Sequence, residues 1–215
     1  MKLVLMNYWR SSASHRVRIG LHLKGLAFEY VPVHIVNKDQ FSDAYVAKNP
    51  MSQVPTLEIT EDDGTVRRMT QSLPILEYLD ERWSDRARLL PTDTYLRARA
   101  RGLAEIVNSG IQPHQNLTTL GKLKDLGQDG PAWAKSFIAK GLDSFQRVAR
   151  DVAGAFSVGD SPSVADCCLI PQLHAARRFG LDVSNLDLLL GIEARCLALP
   201  AFQNAAPENQ PDAVK

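Results

Sequence analysis

Apolar positions in the first third of the chain follow two different periods. The short apolar run at residues 2–7 is typical of a buried strand, and apolar residues spaced four apart over 11–24 predict a helix. Gly25 stands where a left-handed residue commonly ends a helix. Aromatic and β-branched residues at 27–34 predict a second strand. Because a helix connects the two strands, we expect them to pair in parallel through a right-handed crossover.

The pattern then changes to a short helix and a hairpin. Residues 39–47 are predicted to be helical, and the strands 56–59 and 65–69 are separated by the turn sequence EDDG, which favours antiparallel pairing. A further helix is predicted to begin with Ser72 as its N-cap. These elements predict a small α/β domain with a four-stranded mixed sheet over residues 1–83.

The remainder of the chain shows helical spacing only. Residues 84–92 are irregular and are predicted to be a linker, and residues 93–215 contain no convincing strand. The sequence SVAD at 163–166 is typical of a capping box at a helix start. Residues 205–215 are predicted to be a tail. The expected fold class is an α/β domain followed by an all-α helical-bundle domain.

Composition limits the classes of function. The chain has 215 residues, 25 basic and 24 acidic side chains and a net charge of +1, so no overall attraction to nucleic acid or an anionic membrane is expected. Three cysteines without a C-x-x-C pair indicate reduced thiols, and no apolar run approaches the ~20 residues of a membrane span. The five histidines have no metal-ligand spacing, so no metal site is expected. We expect a cytoplasmic protein.

Three segments of the first domain suggest a binding site for an anionic peptide. Arg10, Ser11 and Ser12 follow the first strand where a helix begins, and helix N-termini attract anions such as a thiolate. The alternative is that a serine only caps the helix. If the Val54–Pro55 bond is cis, the Val54 backbone can pair with a peptide-like ligand, whereas a trans bond would only start an edge strand. Gln71 and Ser72 begin another helix, whose N-terminus suits a carboxylate.

These motifs have a family resemblance. The run SSASHRVRIGLHLKG, together with NPMSQVPTL, GIQPHQN and FSVGD-x-x-SVAD, resembles the zeta class of cytosolic glutathione transferases over nearly the full chain. The resemblance implies a glutathione transferase fold, with a thioredoxin-like domain first. It also implies glutathione as cofactor, a homodimer and isomerisation of maleylacetoacetate to fumarylacetoacetate in aromatic amino acid catabolism. Maleylpyruvate isomerase, a transferase acting on α-halo acids and a non-catalytic binding module are the alternatives.

The resemblance also implies roles for individual residues. Ser11 would orient the glutathione thiolate, with Ser12 in the same pocket as a further catalytic candidate. Arg178 would face a substrate carboxylate, although it could be a helix-surface cation and Arg177 could be confused with it. Arg10 is a second candidate for a substrate carboxylate because a guanidinium matches the geometry of that group. The residues that the resemblance places around glutathione are Ser11, Ser12, Ala13, Ser14, His15, Arg16, Gln40, Val54, Gln71, Ser72, Gln112, Asn116, Leu117 and Thr118.

One position departs from the family signature. Ala13 stands where the family has cysteine, which puts activity on less activated substrates in doubt. The nucleophile would still be present, because glutathione supplies it. His15 could add positive charge near the thiolate or be a surface histidine.

Overall fold

One mixed sheet forms the centre of the amino-terminal part of the chain. The computed structural model describes residues 1–214. The strands follow the order β2-β1-β3-β4, with β1 parallel to β2 and antiparallel to β3, and β3 antiparallel to β4. The predicted four-stranded mixed sheet is confirmed. The strands are β1 (Lys2–Asn7), β2 (Glu29–Pro32), β3 (Thr56–Thr60) and β4 (Val66–Thr70).

Two long helices cover the sheet in this part. Helix α1 (Ser12–Leu23) packs against α3 (Ser72–Arg82), and a 3-10 turn at Asp39–Phe41 leads into the short α2 (Asp43–Val46). The α1–α3 crossing is close: a Cβ added to Gly20 would lie 2.2 Å from Leu76 Cδ2. An alanine at this position would therefore force the buried Leu76 side chain to move.

Several predicted boundaries in this part differ from the structure. β2 has four residues instead of the eight predicted at 27–34, because it lies at a sheet edge where β1 is its only partner. The predicted helix at 39–47 is divided between the 3-10 turn and α2. Ser72 is the first residue of α3 and not its N-cap, which is Gln71. The predicted N-cap at Ser72 is therefore wrong. The Gln71 side chain makes no capping hydrogen bond in its place.

The end of the chain folds back onto the first part. Helix α9 (Pro200–Ala205) packs against α1, Phe202 is fully buried, and a 3-10 turn follows at Pro207–Asn209. The prediction of a tail from residue 205 is therefore wrong for the described residues to 214. The packing of α9 against α1 is a long-range contact, and a helix of six residues is too short to show a periodic apolar pattern that would predict it.

Contacts divide the chain into two units. The first unit contains Met1–Leu89 and the chain from Leu199 onward, and the second contains Leu90–Ala198. This division differs from the predicted domains 1–83 and 93–215 with a linker at 84–92. The difference arises because Leu89 is buried in the first unit, where its amide donates to Asp80 Oδ1 at 2.6 Å, and because the C-terminal segment returns there.

The second unit is built from helices. Helix α7 is almost entirely buried and contacts α4, α6 and α8. Helix α5 was not predicted, although Leu117, Leu120 and Leu123 recur along it at three-residue spacing; none of its residues is buried. No strand occurs in the second unit, all of whose residues are described. The helices are α4 (Thr94–Asn108), α5 (Leu117–Asp125), α6 (Gly130–Ala149), α7 (Val164–Arg178) and α8 (Asp187–Leu197), with a 3-10 turn at Gln112–Gln115.

The predicted capping box at the start of α7 is confirmed. Ser163 is the N-cap, and Asp166 Oδ2 accepts from the Ser163 amide at 2.8 Å. Asp166 Oδ1 also accepts from the Ser157 amide at 2.8 Å, so one fully buried carboxylate fastens the preceding loop to the helix. Burial raises the pKa of Asp166, against the lowering effect of these hydrogen bonds.

Candidate active site

Ser11 lies at the N-terminus of α1, directly after the turn that follows β1. It is the N-cap, and its Oγ accepts a hydrogen bond from the Ser14 amide at 3.2 Å. The Ser11 amide donates to Tyr8 O at 3.0 Å, which closes the turn. A hydroxyl that accepts one hydrogen bond still has its own hydrogen to donate. Ser11 therefore caps the helix, and its half-buried hydroxyl can also donate to an anion.

The next residues of α1 differ sharply in exposure. Ser12 and Ala13 are half-buried like Ser11, whereas Ser14 and His15 are buried with 0% and 4% exposure. Ser14 Oγ accepts from the Tyr8 amide at 3.5 Å and so supports the turn from inside. The alternative of a surface histidine at residue 15 is therefore wrong. Ser11, Ser12 and Ala13 form the accessible face of this helix start.

A buried cation connects the two helix N-termini of the first unit. Arg16 is 1% exposed, and its Nη1 donates to Ser72 Oγ at 3.1 Å. This hydrogen bond occupies an acceptor lone pair of Ser72 and leaves the hydroxyl hydrogen to donate. Arg16 therefore places a fixed positive charge and an oriented hydroxyl at the start of α3. This arrangement suits a carboxylate.

Gln71 has a strained backbone at the same place. Its φ is 68° and its ψ is 125°, in a region that non-glycine residues rarely adopt, and it is exposed. Strained non-glycine residues of this kind concentrate at functional sites. The conformation turns the chain from β4, which ends at Thr70, directly into α3. The strained backbone of Gln71 is thus a second indication of a functional site at the helix start predicted to bind a carboxylate.

In the loop before β3 the Val54–Pro55 bond is cis, the first of the two alternatives considered from the sequence. Because β3 lies between β1 and β4, the alternative of a trans proline starting an edge strand is wrong. The loop is fixed by Tyr45, whose hydroxyl donates to Gln53 O at 2.6 Å, and by Asn49, whose Nδ2 donates to the same oxygen at 2.7 Å. Val54 is half-buried and precedes the strand ladder, which begins at Thr56.

Two buried polar atoms in this unit have no partner among the described residues. These are Gln40 Oε1, in a residue that is 8% exposed, and the indole Nε1 of Trp9, next to the Ser11 turn. Buried polar atoms without partners are uncommon in folded proteins. A peptide with amide and ammonium donors would satisfy an oxygen such as that of Gln40. The helix starts at Ser11 and Ser72 suit its anions, so glutathione fits the residues present.

Arg10 precedes this helix start and is half-buried. Its guanidinium lies 5.6 Å from the centre of the Trp9 ring, within the range of a cation–π contact. Resting on the ring, the cation remains close to the Ser11 turn. It is therefore available for a carboxylate in the first unit.

The second unit carries a separate group of predicted residues. Gln112 lies in the 3-10 turn before α5, and Asn116 is the N-cap of α5, where its Oδ1 accepts from the Thr118 amide at 2.9 Å. Leu117 and Thr118 are exposed in the first turn of α5. The local fold brings Gln112, Asn116, Leu117 and Thr118 together on one short segment.

The two adjacent arginines at the end of α7 have different surroundings. Arg177 donates from both terminal nitrogens to the Glu193 carboxylate, at 2.6 and 2.5 Å, and this pair raises its pKa. Arg178 is exposed, with its guanidinium 5.2 Å from the centre of the Phe179 ring. Arg177 is thus engaged in an ion pair with Glu193, whereas the Arg178 guanidinium lies against the Phe179 ring.

Comparison with known proteins identifies the family. Residues 10–82 match the model of the glutathione S-transferase N-terminal domain. The chain is 42% identical to maleylacetoacetate isomerase of Mus musculus, with 98% of this chain and 95% of the relative covered. It is 40% identical to maleylpyruvate isomerase of a Ralstonia species, with 97% and 98% covered.

A solved structure agrees with this assignment. The crystal structure of maleylacetoacetate isomerase from Anaeromyxobacter dehalogenans 2CP-1, with bound GSH in its active site, has a TM-score of 0.92 and 50% identity, with 99% of this chain and 98% of that chain covered. A second structure of that isomerase holds dicarboxyethyl glutathione and citrate, again with a TM-score of 0.92. The chain belongs to the zeta-class glutathione transferase family.

Membership confirms the glutathione transferase fold predicted from the sequence motifs. Some residues that support the turn before Ser11 were nevertheless not predicted. Arg18 is fully buried and donates to Tyr8 O and Trp9 O, and Asp212 accepts from the Trp9 amide at 3.1 Å. Arg18 stands in the quoted signature, yet no local pattern shows that its guanidinium turns back to the preceding turn. Asp212 is 203 residues away from Trp9 and has no sequence signal.

Cysteine does not provide a nucleophile of the chain's own. Cys167, Cys168 and Cys196 are all buried with 0% exposure, and burial raises the pKa of the Cys167 and Cys196 thiols. The predicted reduced thiols are therefore confirmed as free and buried. In residues 1–214, no three His, Cys, Asp or Glu side chains form a metal-binding group. The same residues contain no helix that is long and apolar enough to cross a membrane.

Proposed function

We propose that this protein is a glutathione-dependent cis–trans isomerase that converts maleylacetoacetate to fumarylacetoacetate. The observation that carries the proposal is the half-buried Ser11 hydroxyl, which caps α1 and retains a hydrogen to donate. Glutathione, when bound, supplies a thiolate that adds to the double bond conjugated with the substrate carbonyl and leaves after rotation about that bond. This chain has no exposed thiol among its described residues that could take this role.

The residues of the first unit hold and orient the tripeptide. Ser11 donates to the sulfur anion at the positive end of the α1 dipole, which favours the ionised thiol near neutral pH. Ser72, oriented by Arg16, and Gln71 bind the γ-glutamyl carboxylate. The Val54 backbone pairs with the peptide backbone in the manner of an added strand. Fixing the sulfur in this way supplies the near-attack geometry on which the rate depends.

Two arginines are assigned to the substrate. Arg10 and Arg178 each present a guanidinium beside an aromatic ring, and a guanidinium matches the geometry of a carboxylate. A cation near the substrate also stabilises negative charge that develops on its carbonyl oxygen. We assign glutathione binding to residues 1–83 and the substrate side to residues 93–215, connected through 84–92. The family resemblance also assigns Gln112, Asn116, Leu117 and Thr118 to glutathione binding.

Family membership supports three wider parts of the proposal. We infer that the chain acts as a homodimer in the cytoplasm, in the breakdown of aromatic amino acids. Sedimentation of the purified protein tests the homodimer: a single species of twice the 23.8 kDa chain mass is expected. A species of one chain mass that retains full activity contradicts it.

The decisive experiment compares two substrates with and without glutathione. Maleylacetoacetate and maleylpyruvate are assayed at equal enzyme concentration, and we expect faster turnover of maleylacetoacetate and none without the thiol. Equal rates with and without glutathione would refute the mechanism. Faster turnover of maleylpyruvate would assign the activity named for the Ralstonia relative instead. Calorimetric titration with glutathione tests the non-catalytic alternative, since a binding module without a thiolate site gives no heat.

Arg177→Ala is a matched control for Arg178→Ala. Loss of Arg178 is expected to raise KM for the substrate by about tenfold, because a hydrogen-bonded ion pair is lost, with little effect on stability. Loss of Arg177 breaks its pair with Glu193 and should lower stability with a smaller effect on KM. The opposite pattern of KM and stability would reassign the substrate contact to Arg177.

A further inference from the structure

The C-terminal segment reaches the turn that carries Ser11. Asp212 Oδ2 accepts from the Trp9 backbone amide at 3.1 Å, and Asp212 Oδ1 accepts from the Tyr30 hydroxyl on β2. One carboxylate therefore joins the last residues of the chain, the edge strand and the residue two positions before Ser11. All of these residues belong to the first unit.

Side chains contact the backbone amides and carbonyls of both Tyr8 and Trp9. The Tyr8 amide donates to Ser14 Oγ, and Tyr8 O accepts from both the Ser11 amide and Arg18 Nη1. Trp9 O accepts from Arg18 Nη2 at 2.9 Å. The Trp9 amide donates to Asp212 Oδ2. The Ser11 turn thus depends on three side chains, of which only Asp212 comes from outside the β1–α1 segment.

Arg18 reinforces the same connection. Its guanidinium is fully buried and also donates to Asn7 Oδ1 at 3.0 Å and to Ala205 O at 3.1 Å. Burial lowers the pKa of Arg18 to about 10, and the negative charges of Asp212 and Glu208 and the Tyr30 phenol act in the opposite direction. The acidic C-terminal segment therefore supplies counter-charge to the cation that fixes the Trp9 carbonyl.

We propose that Asp212 is a positioning residue for Ser11: by fixing the Trp9 amide it holds the 8–11 turn in the geometry that directs the Ser11 hydroxyl at the glutathione sulfur. The inference rests on the proposed function, because it assigns the sulfur as the partner of Ser11. Loosening the turn lets the hydroxyl move away from the anion, and the thiol then ionises less readily. Tight packing of the tail alone would not change thiol ionisation.

The test compares three variants of the full-length protein. Asp212→Ala removes the acceptor, Asp212→Asn keeps an oxygen that can accept from Trp9, and Gln210→Ala is the matched control. Gln210 anchors the same tail, since its Nε2 donates to Asn204 O at 2.8 Å and to Ala206 O at 2.7 Å. Neither acceptor belongs to the turn. Gln210→Ala therefore weakens the tail without touching Trp9.

Two measurements are made on each variant. The first is hydrogen exchange of the Trp9 and Ser11 amides without glutathione. The second is a pH titration of bound glutathione, followed by the ultraviolet absorbance of the thiolate. For Asp212→Ala we expect about tenfold faster exchange at Trp9, as for one lost hydrogen bond to a charge, and a bound-thiol pKa about one unit higher. Asp212→Asn should stay close to wild type, and Gln210→Ala should leave the thiol pKa unchanged.

The outcomes separate this inference from the proposed function. If Asp212→Ala titrates like wild type, or if Gln210→Ala shifts the thiol pKa equally, the positioning role is wrong. If wild-type protein does not bind glutathione, the proposed function fails. Independently of glutathione, unchanged exchange of the Trp9 amide in Asp212→Ala would show that Asp212 does not fix this turn. Should Asp212→Ala not fold, Tyr30→Phe removes the other hydrogen bond to Asp212. Tyr30→Phe should shift the thiol pKa in the same direction but by a smaller amount. If the thiol pKa does not shift in this variant, the inference is overturned.

Discussion

Replacement of Ser11 separates its capping role from its proposed role toward the thiolate. Ser11→Ala removes the cap on the Ser14 amide, which costs about 1 kcal/mol of stability. It also removes the proposed hydrogen bond to the sulfur anion, which is worth about 1.5–3 kcal/mol and corresponds to about 1–2 pH units of thiol pKa. If the bound thiol has a pKa near 7, a rise to about 8.5 lowers its ionised fraction at pH 7 from about half to about 3%.

The assay is the pH titration of bound glutathione together with isomerase rates at pH 7. We expect the activity of Ser11→Ala to fall by about 15-fold at pH 7 and to recover as the pH rises through the new thiol pKa. The sign follows from the charge: the lost hydrogen bond stabilised the anion, so its removal raises the pKa. Stability is measured in parallel by urea unfolding.

Ser11→Asp and Asp129→Ala are the controls. Aspartate caps a helix as well as serine does, so Ser11→Asp should retain stability, whereas its charge repels the thiolate and should abolish activity near neutral pH. Asp129 caps α6 in the second unit by accepting from the Ala132 amide at 2.9 Å, so its loss removes a cap with no effect on thiol pKa. A Ser11→Asp enzyme that ionises bound glutathione like wild type would refute the reasoning.

Three further predictions concern packing, buried polar groups and thiols. Gly20→Ala places a Cβ 2.2 Å from Leu76 Cδ2 and should lower the free energy of unfolding in urea by about 1–3 kcal/mol. Gly102→Ala on α4, where nothing lies within 4 Å of the added Cβ, should instead raise it by about 0.5–1 kcal/mol. Equal effects of the two substitutions would contradict the close α1–α3 contact. Gln115 and Gln172 exchange two amide hydrogen bonds at 3.0 and 3.1 Å, so Gln172→Leu should lower the free energy of unfolding by about 1–3 kcal/mol. Changing both residues to leucine should cost clearly less than twice that amount, and additive losses in the double-mutant cycle would argue against the pairing. The buried thiols of Cys167, Cys168 and Cys196, with pKa values raised for Cys167 and Cys196, should react with a disulfide reagent at neutral pH only after unfolding, and rapid reaction of the native protein would contradict their burial.

Elements with a local cause were predictable from the sequence. α1 with Ser11 at its start and α7 with its capping box each depend on neighbours within a few residues, and their positions agree with the pattern. The signature around Ser11 also contains enough specific residues to indicate the family. Sequence proximity was sufficient there because capping and helix periodicity are short-range effects.

Elements that depend on distant contacts were not predictable in the same way. α9 is only six residues long and packs against α1, with Phe202 fully buried. α5 was not predicted either, although Leu117, Leu120 and Leu123 recur along it at three-residue spacing. Ser72 has the composition of an N-cap, yet the strained backbone of Gln71 takes that position. The abrupt change of chain direction between β4 and α3 imposes that strain. Residue propensities along the sequence do not predict such a change of direction.

Patterns within the amino-acid sequence were enough to establish the two-part architecture, the helix start that presents Ser11 and the family to which the chain belongs. The long-range side-chain contacts at the two helix starts became known from the folded chain alone: Arg16 reaches Ser72 at the start of α3 across 56 residues, and Asp212 reaches Trp9 in the turn before Ser11 across 203. This difference arises because a helix cap is satisfied by its own neighbours, whereas a buried guanidinium or backbone amide takes whichever partner the fold brings within hydrogen-bonding distance.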